Sequence, residues 1–220
     1  MRKRGKSLPN RVTPDRTDYG RITAAVIGDG GIAAIPTETS YGLAVDPFNP
    51  AALQRLFEVK QRPVSKPLLV LIDKLSVLPR LSAIIPDVYI PLIQHYWPGP
   101  LTLIFPALNT LPELLTAGTG TVGVRMSSNR VATEICRCAG GTITATSANI
   151  SGQRSARSAA EIVHYFNDRV DIIVDGGKLR KSPGSSIIGC NQGNIISIRE
   201  GTIPLSSIKH TVEESAYRVS

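Results

Sequence analysis

Apolar residues along the chain fall into short runs separated by polar turns, and helical spacing marks some of them. Ile22, Val26 and Ile27 recur at that spacing, as do Leu53, Leu56 and Phe57, which predicts helices over 18–28 and 50–61. Asn49 ahead of Pro50 supplies the second helix with a side-chain cap and a proline at its first position. Further helices are predicted over 129–139 and 158–167, with two short ones, broken by Pro79, Pro86 and Pro91, over 73–96. Apolar runs at 32–35, 43–45, 68–72, 101–105, 122–126, 142–146, 171–174, 186–188 and 195–198 read as short strands. Helices and strands alternate, so the expected class is α/β: a single twisted mixed sheet with flanking helices and no dividing linker.

One polar residue breaks the pattern. Lys60 lies three residues past Phe57 and seven past Leu53, which puts it on the apolar stripe of the helix. Pro63 stops that helix, because it cannot continue the hydrogen-bond ladder. Arg62 and Lys66 then follow from a stiff loop beside the inward lysine. Such a cluster suits a polyanion such as a nucleoside triphosphate, with arginine as a fork and lysine as a point charge. Cations at a helix C-terminus also complement its dipole.

Charge sharpens this picture. The 220 residues are 42% hydrophobic and 19% charged, with a net charge of +8, which favours anionic partners: nucleotide, nucleic acid or both. Six Lys/Arg fall in the first nineteen residues, against Asp15 and Asp18. Residues 1–17 read as a flexible basic arm, 18–205 as the folded domain and 206–220 as a C-terminal tail. Three cysteines, an odd number, argue against a disulfide framework. No apolar run approaches the ~18 residues needed to span a membrane, and the N-terminus has no apolar signal core. A cytoplasmic location is the default, and the acid-free stretch before Asp15 leaves an organelle transit peptide open.

Some motifs dissolve in context. Gly28-Asp29-Gly30-Gly31-Ile32-Ala33 fits a loose dinucleotide fingerprint, but a helix precedes it and a strand follows, the reverse of the required order. No P-loop motif is present, so ATP would bind without one. Ser147 lacks a nucleophile elbow, and the three histidines are scattered.

What remains is a constellation at strand ends: Thr37 and Thr39; Lys60, Arg62 and Lys66; Thr121 and Arg125; Ser147, Asn149 and Ser151. Strand ends of an α/β sheet are where ligands usually bind. Each cluster has a structural reading too, as turn hydroxyls, caps or an ion pair. Together they offer hydroxyls, amides and cations with Glu38 as almost the sole acid. That composition fits the orientation of anions rather than carboxylate acid–base chemistry.

The stretches Pro36-Thr37-Glu38-Thr39-Ser40-Tyr41-Gly42-Leu43, Lys60-Gln61-Arg62-Pro63 with Lys66-Pro67, Trp97-Pro98-Gly99-Pro100-Leu101-Thr102, Val122-Gly123-Val124-Arg125 and Thr146-Ser147-Ala148-Asn149-Ile150-Ser151-Gly152 resemble, in order and spacing, the YrdC/TsaC family of threonylcarbamoyl-AMP synthases. The resemblance covers roughly residues 18–204 and places the chain with the short members, which lack an extra C-terminal domain. It implies a twisted α/β fold with a basic concave face. It also implies a reaction in which L-threonine and bicarbonate condense to a carbamate that attacks the α-phosphate of ATP. The products would be threonylcarbamoyl-adenylate and pyrophosphate, and a separate transferase complex would pass the threonylcarbamoyl group to tRNA. By position, Lys60, Arg62, Ser147 and Asn149 match the family's signature tetrad, and Lys66, Thr121, Ser155 and Arg199 match further ATP contacts. Thr39 and Arg125 match threonine contacts, with Arg125 on the carboxylate. Leu71 stands where the longer members have a histidine near threonine. A magnesium ion on the phosphates is expected, without a clear carboxylate ligand, and the 183–199 segment is a candidate lid. Two other readings stay open: an RNA-binding module on the same fold, and a carbamoyl-transfer relative using carbamoyl phosphate.

Overall fold

The structure, a computed structural model, describes residues 10–217. Its strands and helices run in the order β1 (Asn10–Val12), α1 (Tyr19–Gly28), β2 (Ala33–Pro36), β3 (Tyr41–Ala44), α2 (Pro50–Lys60), β4 (Leu69–Ile72), α3 (Ile90–Tyr96), β5 (Leu101–Pro106), α4 (Glu113–Thr116), β6 (Thr121–Met126), α5 (Arg130–Cys138), β7 (Thr142–Thr144), β8 (Thr146–Ser147), α6 (Ala159–Phe166), β9 (Ile172–Val174), β10 (Ser186–Asn191), β11 (Asn194–Arg199) and α7 (Leu205–Tyr217). The α/β class is as expected, with mixed strands and flanking helices.

The strands divide between two sheets rather than forming one. Among the described residues, one sheet runs β1-β9-β2-β3-β8 and the other β11-β10-β5-β6-β4-β7. The chain crosses between them at Thr144 and Ala145. The Thr144 N–H donates to the Val45 carbonyl at 3.0 Å, while the Ala145 N–H donates to the Leu69 carbonyl at 2.9 Å. The run 142–146, read as one strand, is therefore split so that β7 pairs with β4 and β8 with β3.

Local chemistry explains the elements around the crossing. The Asn49 side chain accepts from the N–H groups of Ala51 and Ala52, with Pro50 opening α2, and Gln61 closes it in a left-handed conformation (φ 51°). Leu53, Leu56 and Phe57 on its apolar face are fully buried, each contributing about 1.5–3 kcal/mol of transfer free energy. Asn129 caps α5 in the same way. A large core covers one face of the strands, including Leu43, Val70 and Val124. A smaller one, with Ile35, Leu71 and Ile143, lies under α1 and α5.

Two stretches expected outside the folded unit join it. Asn10–Val12, placed by sequence in the flexible arm, form β1 in parallel register with β9, Val12 opposite Val174. Residues 1–9 of that arm lie outside the described residues. Most of the expected tail is α7, which packs on α3 with the Tyr96 hydroxyl 3.0 Å from Thr211 Oγ1. Among the described residues, no helix is long and apolar enough to cross a membrane.

Candidate active site

A cavity of about 400 Å³ opens where the two sheets part. Strand register builds its floor. Leu69 lies opposite Gly123 and Leu71 opposite Arg125 in the parallel β4–β6 pair, while Thr102 lies opposite Ile187 between β5 and β10. Leu69, Thr102, Arg125 and Ile187 line the cavity, and Leu71 turns into the smaller core. The far wall comes from the Thr37–Gly42 turn and from Thr146 and Ser147. Among the described residues, the wall carries six cations (Arg62, Arg125, Arg154, Arg157, Lys181 and Arg199) and no carboxylate. Such a hollow selects anions.

Arg125 is the most deeply placed. It is 3% exposed, its Nη1 donates to Thr39 Oγ1 at 3.3 Å, and it lies 3.3 Å from Glu38 Oε1. Burial pulls its guanidinium below the ordinary arginine range, Glu38 pushes back, and Arg199 adds to the lowering. Among the described residues its Nε has no hydrogen-bond partner. Glu38 in turn accepts from the Ser127 hydroxyl, so Thr39 and Glu38, both from the same turn, meet Arg125 at Nη1.

Two further family-matched cations, Arg62 and Arg199, are held by carbonyls. Arg62 Nη2 donates to the Pro67 carbonyl at 2.9 Å and its Nε to the Lys66 carbonyl at 3.3 Å. Arg199 donates to the Ser185 carbonyl at 2.7 Å and 3.1 Å and to Ser185 Oγ at 3.0 Å. Burial lowers the pKa of both.

Lys60 is buried, as its place on the helical stripe predicts, but its ammonium does not line the cavity. It donates to the carbonyls of Ser147 and, at 2.9 Å, Asn149. Burial, reinforced by the nearby charge of Arg62, brings its pKa down to about 7. Asn149 is equally inward: its Oδ1 accepts from Ser147 Oγ at 2.6 Å, and its Nδ2 donates to the carbonyls of Ile150 and Gln153. The tetrad thus gathers at one place, with Arg62 and Ser147 facing the cavity and Lys60 and Asn149 behind the wall.

Thr39, Arg125, Arg62, Ser147, Ser155 and Arg199 all line the one hollow, while Lys66 and Thr121 lie outside its wall. Thr121 bonds instead to Thr119 Oγ1 at 2.8 Å. The segment 183–199 is mostly a hairpin, β10 with β11, tied into the sheet by β5. The irregular part at the cavity is residues 181–185. Sequence reasoning missed Arg154, Arg157 and Lys181, single cations in loops without a periodic pattern to mark them. It also missed Tyr41 as a wall residue, although Tyr41 stands within the turn motif itself.

Fold and cavity together define an α/β protein with a cation-lined hollow between two mixed sheets. A family model described as Sua5/YciO/YrdC, telomere recombination, matches residues 25–201, and the chain belongs to that family. It is 36% identical over 194 residues to the threonylcarbamoyl-AMP synthase of Pyrococcus abyssi, covering 88% of this chain and 57% of that protein. It is 39% identical over 156 residues to the threonylcarbamoyl-AMP synthase of Halorhodospira halophila, covering 71% of this chain and 82% of that protein. The solved structure of P. abyssi Sua5 complexed with L-threonine superposes with a TM-score of 0.88 at 34% identity, over 94% of this chain and 62% of that one. The chain therefore spans about three fifths of the P. abyssi relative and most of the H. halophila one.

Proposed function

We propose that the chain is an L-threonylcarbamoyladenylate synthase, using L-threonine, bicarbonate and ATP. The observation that carries this reading is the cavity wall: among the described residues, six cations, no carboxylate, and at one end a buried Arg125 already joined to the Thr39 hydroxyl. Relatives bearing that activity's name, and one solved with L-threonine, support it.

In this reading Arg125 takes the threonine carboxylate on its fork, and Thr39 orients the amino acid. Arg62, Ser147, Ser155 and Arg199 hold the nucleotide. Lys66 and Thr121 reach only the parts of ATP that extend past the wall. Lys60 and Asn149 act from behind, by fixing the turn that presents Ser147. Amine and bicarbonate lose water to give a carbamate. A carbamate oxygen, already anionic, bonds to the α-phosphorus as the bond to the bridging oxygen breaks and pyrophosphate leaves. Such a step needs neutralised charge and in-line placement more than a base. Among the described residues the wall offers no carboxylate to hold a magnesium ion; one carried by the substrate nucleotide would supply counter-charge to its phosphates. The product would serve a separate transferase acting on tRNA, in the cytoplasm.

The test is pyrophosphate release by the purified protein with ATP and bicarbonate, against each of the twenty amino acids. Release stimulated by threonine is expected. Release that ignores amino acids, or that carbamoyl phosphate supports in their place, overturns the proposal.

A further inference from the structure

The first strand is connected to the cavity through side chains that the reading above leaves unused. Arg11 on β1 donates through Nη2 to Asp175 Oδ2. The Asp175 N–H donates to the Val12 carbonyl at 2.8 Å, and Asp175 Oδ1 accepts the Gly177 N–H at 3.0 Å. Tyr41, a wall residue, holds the same turn from the opposite flank. Its hydroxyl accepts the Gly176 N–H at 3.0 Å and donates to the Gly177 carbonyl at 2.9 Å. The Leu179 N–H then donates to the Arg157 carbonyl at 2.8 Å. Residues 175–185 have neither helix nor strand, and they deliver Lys181 and Ser185 to the cavity. No hydrogen bond or ion pair of the Lys181 side chain is found among the described residues, so its direction is set by the backbone that carries it.

We propose that Arg11 is a positioning residue. By clasping Asp175, β1 fixes the start of the 175–185 loop and thereby places Lys181 as a further contact for the anion in the cavity. The ion pair sits at an edge, with Arg11 61% and Asp175 15% exposed, so it adds little to global stability. Its effect is local. Without Arg11, the Asp175 carboxylate keeps, among the described residues, the Gly177 N–H of its own turn and the Tyr41 hydroxyl, and no other side chain described ties that turn to β1. A lysine is a point charge on a flexible stem, so its reach to a phosphate depends on where its backbone is held.

The proposal rests on the nucleotide reading for its kinetic consequence, and the test separates the two. Hydrogen exchange is compared in wild type, Arg11→Gln and Arg11→Lys. The amides of Gly177 and Leu179 are expected to exchange about tenfold faster in Arg11→Gln, with Ile172–Val174 unchanged and Arg11→Lys intermediate. In pyrophosphate release, Arg11→Gln raises KM for ATP about fivefold with kcat little changed, and Lys181→Ala raises it about tenfold. The double variant stays near tenfold, because both changes act at one contact. Unchanged exchange at Gly177 and Leu179, or acceleration spread equally through β9, overturns the clasp. A double variant near fiftyfold overturns the link to Lys181. If the wild-type protein releases no pyrophosphate, the proposed function fails and the exchange experiment alone still decides the clasp.

Discussion

Lys60→Met tests the account of the tetrad most directly, since methionine keeps the length of the stem and removes the charge. Lys60 is 1% exposed, and its pKa falls from 10.5 to about 7 in the folded protein. The folded state therefore releases a proton at lower pH than the unfolded chain. Between those two values the unfolded chain binds more protons, so stability rises with pH across that window. The penalty for burying the ammonium is present in full below pH 7 and is relieved above it. From pH 6.5 to pH 9 the wild type should gain about 2.5 kcal/mol relative to Lys60→Met, from 1.36 kcal/mol per pH unit over a little under two effective units. The variant also loses two hydrogen bonds to the Ser147 and Asn149 carbonyls, with a cost of about 2 kcal/mol at alkaline pH where the amine is neutral. Urea unfolding of both proteins at pH 6.5, 7.5 and 9 gives the curves. Parallel curves would refute the reasoning, because they would mean that Lys60 stays charged throughout or is not buried.

Other perturbations reach the remaining parts of the site. Arg125→Gln should weaken threonine binding on the order of 100-fold by removing a charge-assisted fork, read as KM for threonine in pyrophosphate release, with KM for ATP changing far less. Glu38→Ala leaves the Arg125 guanidinium buried without its carboxylate, and calorimetry should show a loss of about 3 kcal/mol. Gly201→Ala would set a Cβ 2.4 Å from the carbonyl carbon of Ser185. The backbone that holds Arg199 must shift, so the melting temperature should fall, with a cost of about 2 kcal/mol, and KM for ATP should rise.

The parts of this architecture that were legible in the sequence are those with a local cause. The inward position of Lys60 follows from its spacing to Leu53 and Phe57, and the start of α2 from Asn49 and Pro50. Its hydrogen-bond partners were not legible, because they are carbonyls 87 and 89 residues away, and a carbonyl is chemically alike at every position. β1 escaped because only Val12 in Asn10–Val12 is buried, so no alternation marks it against a basic surrounding. The division into two sheets hangs on Thr144 and Ala145, whose side chains look like any other members of a buried strand. Arg154, Arg157 and Lys181 were invisible as a group because only the fold brings the 154–157 and 181 loops to one wall.

On the proposed function, the partners of the cavity's cations account for how one hollow would serve both a nucleotide and an amino acid. Arg62 and Arg199 on the wall, and Lys60 behind it, are held by backbone carbonyls. A carbonyl dipole fixes direction without cancelling the charge, so the arginine charge survives for a polyanion. Arg125 alone among the six wall cations has a carboxylate partner among the described residues, Glu38. Half-neutralised, it suits one carboxylate rather than a triphosphate, which would find stronger fields elsewhere in the same hollow. The division follows from the identity of the anchoring group and needs no separate pocket. The Thr37–Gly42 turn supplies Glu38 and Thr39 together, so it sets both the strength and the direction of the charge offered to the smaller ligand.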